Sequence, residues 1–399
     1  MAKTLLYVET ASARYGSSLS LLTLVRSLDR ARFRPVVAVQ RDNPVREDFA
    51  AMGVQTMPLA VPDLRAPDIG TVKSETAGLA PPRAARFDNP LGLALREARD
   101  LAVYRHDIRA LKRLIKSEGV DLIHCNNQVA ANRLVYYAAP RGLPFIQHVR
   151  DGPLSTSAHI RKLGKRPDLF LCISHFVEAE VVKCVRADAR TQVVYNPVGD
   201  RFFEPVRRAR AAQAPYVFCQ VARLIPYKGQ DLLLQAFAAL QSRLPDGVPP
   251  PRLVLLGGAT HGAGFERELR RFVDDNRLGA LVDFRPYEND IIPTLDSVDC
   301  LVHCTRGSEG FGRVVAEAMA RGLPVIGNSR GALPELIDHR STGFVADDVE
   351  AMASAMRTLI ADRALSERMS KEARRRADRF SAETIAGQVT GAYDDLLGA

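Results

Sequence analysis

Short apolar runs alternate with longer segments of helical period along nearly the whole chain, and the alternation breaks off once and starts again. Runs at 4–8, 35–39, 54–59, 121–124, 144–149, 169–173 and 192–195 read as strands, with helical patterns such as 17–28 between most of them. Strands that are apolar throughout must be covered on both faces. Helices between consecutive strands supply that cover in a parallel sheet. Residues 58–90 interrupt the pattern with six prolines and read as a long loop. After Asn196-Pro197 the chain passes through a stretch of Arg, Ala and Gln that reads as a linker. At Tyr216 the alternation restarts, with strands at 217–222, 253–256, 282–284, 300–303 and 324–326, and the tail over 349–397 is helical by pattern. The expected architecture is α/β, with domains at 1–198 and 199–380.

The 399 residues suffice for two cores. A net charge of +9, from 55 basic and 46 acidic residues, favours acidic partners such as phosphate-bearing ligands. With no tryptophan and no recognised motif, nucleic acid is not an expected partner. Six cysteines include no CxxC pair and sit in apolar surroundings, so buried free thiols are expected. The start of the chain opens directly into a strand pattern, and no run approaches the roughly 18 apolar residues of a membrane span. The expected location is cytoplasmic.

The most telling segment is 303–335. A strand runs into a glycine-rich turn, Ser308-Glu309-Gly310-Phe311-Gly312, and then into a helix that carries Glu317. Gly310 and Gly312 let the backbone approach a ligand closely, and the start of a helix offers N–H groups to an anion. Carboxylates on either side of that anion suit a sugar, a diphosphate and a ribose. A second segment, Val221-Ala222-Arg223-Leu224-Ile225-Pro226-Tyr227-Lys228-Gly229, places Arg223 and Lys228 beyond another strand's carboxyl end. In open α/β sheets ligands collect there, so two cations at that rim suit a diphosphate without a metal. Taken alone, both are equally readable as ordinary loop charges. The turn Tyr15-Gly16-Ser17-Ser18 is an acceptable anion cradle, and also what any capped helix looks like. His148 lies at a strand's carboxyl end, with His124 as the competing choice. No Ser-His-Asp spacing, HExxH or paired-metal aspartate cluster is present.

Glu309 and Glu317, eight residues apart, resemble the Glu-x7-Glu motif of family-4 retaining glycosyltransferases. Ala222-Arg223-Leu224 with Lys228-Gly229 resembles their diphosphate loop, and Tyr195-Asn196-Pro197-Val198 and Arg330-Gly331-Ala332-Leu333-Pro334-Glu335 resemble flanking segments. The resemblance implies a GT-B fold: two Rossmann-like domains facing across a cleft, an acceptor-binding N-terminal one and a donor-binding C-terminal one, with a final helix (381–399) returning to the first. It implies that Arg223 and Lys228 neutralise the donor diphosphate, Glu309 contacts the sugar, and Glu317 holds the ribose. The amides of Gly312, Arg313 and Val314 would approach the phosphates beside Gly310 and Phe311. His148 would lie near the reacting sugar and Gly16 near the diphosphate. The implied reaction is retaining transfer from a nucleotide-sugar donor, with no cofactor and no essential metal. The chain departs from the family pattern before Glu309, where His303-Cys304-Thr305-Arg306 stands in place of a frequent Pro-Ser.

The acceptor is expected to be a glycan or lipid-linked glycan of the bacterial envelope. Residues 91–116 read as one amphipathic helix, with Leu101, Ile108, Leu111 and Ile115 on its apolar side and seven Arg and Lys residues crowding the rest. A solvated face on a core-packed helix is the plainer reading. A site resting on an anionic membrane surface, with the protein peripheral on its inner face, is the sharper one. Two rivals stand beside the transferase: a GT-B nucleotide-sugar epimerase, which would act without an acceptor, and a non-catalytic sugar-nucleotide-binding protein.

Overall fold

The computed structural model describes residues 1–14, 16–60, 90–127, 132–150, 162–185, 188–206, 214–244, 247–258 and 264–398. Most of the proline-rich stretch expected as a loop, 61–89, lies outside the described residues, as does the middle of the expected linker, 207–213. The chain divides into two compact units, one of Met1–Pro197 with Ala382–Ala399 and one of Val198–Ser381.

The first unit is built on a seven-stranded parallel sheet. Its strands are β1 (Lys3–Glu9), β2 (Phe33–Gln40), β3 (Gln55–Leu59), β4 (Leu122–Asn126), β5 (Phe145–Val149), β6 (Leu169–Cys172) and β7 (Thr191–Val193), in the order β3-β2-β1-β4-β5-β6-β7. Burial of β1 from Thr4 onward on both faces explains its unbroken apolar run. The helix Ala382–Leu397 belongs to this unit: Tyr393 is fully buried, its ring edge meets Phe33, and Asp394 pairs with Arg32 at 2.6 Å.

The second unit has a six-stranded parallel sheet: β8 (Val217–Val221), β9 (Arg252–Leu256), β10 (Val282–Arg285), β11 (Cys300–His303), β12 (Val325–Gly327) and β13 (Gly343–Val345), ordered β10-β9-β8-β11-β12-β13. Its core includes Phe218, Leu233, Phe237, Leu253, Met356 and Leu359. In each sheet the strand order reverses at one place, between β1 and β4 and between β8 and β11. Loops beyond the carboxyl ends of such neighbouring strands diverge to opposite faces and leave a crevice.

The single helix expected over 91–116 is two, Pro90–Val103 and Arg105–Ser117. Tyr104 breaks them at φ −95°, ψ 7°, with its side chain buried. The break puts Leu101 out of phase with the second helix, so Leu101 is exposed while Ile108, Leu111 and Ile115 are buried. Among the described residues, no helix is long and apolar enough to cross a membrane. All six cysteines are free and buried.

Candidate donor site

The second unit collects its chemistry beyond β8 and β11. After β8 the chain passes exposed Arg223 and turns through the short 3-10 helix Pro226–Lys228. It enters the helix Gln230–Gln241 through Gly229, at φ +64°, a conformation glycine adopts without strain. Two buried glutamines hold this loop: Gln220 donates to the Lys228 carbonyl and Gln230 to the Arg223 carbonyl, each at 2.8 Å.

After β11 the chain crosses beneath Tyr227. The Tyr227 hydroxyl donates to the Ser308 carbonyl at 2.5 Å, and a Cβ on Gly307 would lie 2.1 Å from the tyrosine ring. Glu309 follows, its backbone pinned by Gly331: the Ala332 N–H donates to the Glu309 carbonyl at 2.8 Å, and a Cβ on Gly331 would meet that carbonyl oxygen at 2.2 Å. The two loops then join chemically. Lys228 Nζ lies 2.7 Å from Glu309 Oε2, and His303 Nε2 lies 3.1 Å from the same oxygen. Burial alone would raise the Glu309 pKa. The Lys228 ammonium and the His303 contact outweigh it and hold the carboxyl well below the usual carboxylate range.

Gly312, at φ +86°, caps a helix that begins at Arg313, slightly later than the expected start near Gly310. The Val315 N–H bonds to the Gly312 carbonyl at 2.9 Å, so the amides of Gly312, Arg313 and Val314 precede the helical ladder. Phe311 is buried against Phe380. Glu317, on the second turn, is buried and takes Arg313 Nε at 2.6 Å; burial raises its pKa while Arg313 opposes the rise. Lys228, Glu309, His303, Arg313 and Glu317 thus belong to one switch-point neighbourhood, with Arg223 exposed on its loop.

His148 is not at an open rim. It is fully buried at the end of β5 because it belongs to a polar chain through the first unit's core. Tyr7 and Tyr393 hydroxyls are 2.9 Å apart, Tyr393 is 2.7 Å from His124 Nδ1, His124 Nε2 is 3.1 Å from His148 Nδ1, and Arg150 approaches that atom at 3.3 Å. Burial first, then the Arg150 cation, push both histidines well below the usual imidazole range, so both are neutral. Arg150 also donates to Asn126, which donates to buried Glu9 at 2.5 Å. Gly16 opens the helix Gly16–Arg26, where its carbonyl accepts from Ser20 at 2.8 Å. Sequence reasoning missed Glu9, Asn126 and Arg150. Their signal is polar side chains at or just beyond the ends of apolar strands. Among the described residues, no group of three or more His, Cys, Asp or Glu side chains is arranged to hold a metal ion.

Comparison with known proteins gives the family and the fold. Residues 203–376 match the family model described as glycosyl transferases group 1, and residues 15–201 match that of glycosyltransferase family 4. The chain is 32% identical over 224 residues to the GDP-mannose-dependent alpha-(1-6)-phosphatidylinositol monomannoside mannosyltransferase of Mycobacterium tuberculosis, covering 51% of this chain and 55% of that one. It thus spans about half the length of that curated relative. It is 25% identical over 370 residues to the putative glycosyltransferase YtcC of Bacillus subtilis, covering 82% of this chain and 88% of that one. The structure of Anabaena Alr3699/HepE in complex with UDP superposes with a TM-score of 0.75 at 20% identity over 98% of this chain and 100% of that one, a likeness of fold.

Proposed function

Since this chain belongs to the group 1, family 4 glycosyltransferases and has their GT-B fold, we propose that it moves a sugar from a nucleoside-diphosphate sugar to a hydroxyl acceptor with retention. The observation that carries the reading is the meeting of Lys228 and Glu309 at 2.7 Å where β8 and β11 adjoin, beside the helix that presents Glu317. As the bond between the sugar and the diphosphate breaks, negative charge builds on the diphosphate and positive charge on the ring. Lys228 and Arg223 face the first charge, and the amides before Val315 add to them. Glu309 takes sugar hydroxyls and Glu317 the ribose hydroxyls. The acceptor hydroxyl attacks from the face the leaving group departs, and its proton passes to a leaving phosphate oxygen. No metal step enters this scheme.

The names of relatives and neighbours support a nucleotide-hexose donor without choosing its base: one is GDP-mannose-dependent, and HepE has been solved with UDP-glucose. The proposed acceptor is a glycan or lipid-linked glycan of the envelope. Its approach from a membrane is supported by His106, Arg109, Lys112 and Arg113, which line one surface recess on and beside the helix Arg105–Ser117. On this reading the protein works at the cytoplasmic face of a membrane, without crossing it.

A thermal-shift panel of UDP-, GDP- and ADP-sugars tests the donor site. A ligand at ~100 times its Kd adds ~2.7 kcal/mol of stability, and stabilisation by none of the three classes refutes the reading. Turnover of a nucleotide sugar without acceptor would point instead to the epimerase. Co-sedimentation with anionic vesicles at low and high salt tests the membrane contact; absence of binding at low salt removes it.

A further inference from the structure

His303 is a departure from the family pattern that the scheme above leaves without a role. It is 3% exposed, at the last position of β11, and its Nε2 lies 3.1 Å from Glu309 Oε2. Its other nitrogen, Nδ1, is buried with no hydrogen-bond partner among the described residues. A buried polar atom left unpaired is costly, and such atoms call for an explanation. Packing gives none, because an apolar side chain would fill the same space without that cost. Among the described residues, the one polar tie of the His303 side chain is to the site carboxylate.

Among the described residues, Lys228 and His303 both meet the same Glu309 side-chain atom, Oε2. The other oxygen, Oε1, makes neither of these ties, and the Glu309 side chain is 18% exposed. The two ties differ in what a ligand does to them. A diphosphate carries several negative charges and competes directly for the Lys228 ammonium. It has no such claim on a buried imidazole N–H, which stays on Glu309. Without that N–H, a largely buried carboxylate would lose its last fixed donor when Lys228 turns to the phosphates, and would rotate or take up a proton.

We propose that His303 is a positioning residue for the donor sugar: it anchors Glu309 through Oε2 in the nucleotide-bound protein, so that Oε1 meets the sugar hydroxyls in a fixed orientation. The inference rests on the donor-site reading and deepens it, because it separates the sugar half of the site from the nucleotide half. His303 then governs how well the sugar is held and leaves the nucleotide's own affinity alone.

The test compares UDP with UDP-glucose, and GDP with GDP-mannose, by calorimetry on the full chain and its variants. In His303→Ala the nucleoside diphosphate should bind within about 2-fold of wild type. The matching nucleotide sugar should bind roughly 10-fold more weakly, the scale of one charge-assisted hydrogen bond. His303→Phe fills the space without a donor and should behave like the alanine variant. His303→Gln restores an N–H and should recover most of the sugar-dependent affinity. Equal losses for nucleotide and nucleotide sugar, no loss for either, or a phenylalanine variant equal to wild type each overturn the proposal. A wild-type chain that binds none of the four ligands refutes the donor-site reading, and the proposal with it.

Discussion

Gly331 sits against the backbone of Glu309, and replacing it with alanine tests whether the donor site depends on that contact. Two costs add. Gly331 has φ +65°, where a Cβ costs about 1–2 kcal/mol. The new Cβ would also lie 2.2 Å from the Glu309 carbonyl oxygen and 2.5 Å from its amide nitrogen. Real Cβ contacts essentially never fall under 3.0 Å, so the Glu309 turn must retreat by most of an ångström. Relieving a backbone clash of this kind adds about 1–3 kcal/mol. Gly247 supplies the control: it belongs to the same unit, has φ +80°, and a Cβ there meets nothing within 4 Å. Gly247→Ala should therefore cost about 1–2 kcal/mol and Gly331→Ala about 2–5 kcal/mol in urea unfolding. A shift of about 1 Å at a reacting site costs on the order of 100-fold in rate. Transfer should thus fall ~100-fold in Gly331→Ala and stay near normal in Gly247→Ala. Equal destabilisation by the two alanines, with sugar transfer unchanged in both, would refute the argument that the Glu309 turn is held by its fit to Gly331.

Three further outcomes are expected. Arg223→Ala and Lys228→Ala should each lower transfer by ~100-fold or more, since a preorganised partner for developing charge is worth about 3–4 kcal/mol; steady-state rates near wild type would remove them from the reaction. Tyr393→Phe deletes the hydroxyl between Tyr7 and His124 in a fully buried site, and leaving those groups unpaired should cost about 2–3 kcal/mol in urea unfolding; a change below about 0.5 kcal/mol counts against the polar chain. Because His124 and His148 have folded pKa values well below 6.5, the unfolded chain binds more protons below that pH. Their contribution to stability is complete above about 6.5 and falls as pH drops, by up to ~1.4 kcal/mol per pH unit for each histidine; a chain in which Phe replaces both should lose that slope, and an unchanged slope would contradict the burial argument.

The strands were legible because burial on both faces writes them as unbroken apolar runs: β11 occupies the expected 300–303, and most others agree to within one or two residues. β13 was not legible, since three residues beginning at Gly343 carry too few apolar positions to register. The helix over 91–116 read as continuous because Tyr104 is neither Gly nor Pro, and only its backbone angles reveal the break. At the site, residue types and their place beyond strand ends were readable from local sequence, but partnerships were not. The tie from His303 to Glu309 depends on how a turn folds back, and the Tyr393–His124 hydrogen bond joins positions 269 residues apart. The sequence places His148 at a strand's end, which looks alike whether a buried chain or open space lies beyond it.

The helix Ala382–Leu397 belongs with the first 197 residues, so the second unit is an insertion in the chain of the first. Its two ends are fastened side by side: Val198 and Ser381 form a β-bridge, and the Val198 N–H bonds to the Phe380 carbonyl at 2.8 Å. This layout sets an order of assembly during synthesis. The inserted unit has all its residues available once Ser381 has left the ribosome. The first unit begins earlier and finishes later, since the hydroxyl that completes the pairing of Tyr7 and His124 arrives only with Tyr393. Until then its sheet holds buried donors and acceptors without their partner. The first-made strands of that sheet therefore wait for the helix Ala382–Leu397, and they close only after the inserted unit has been made.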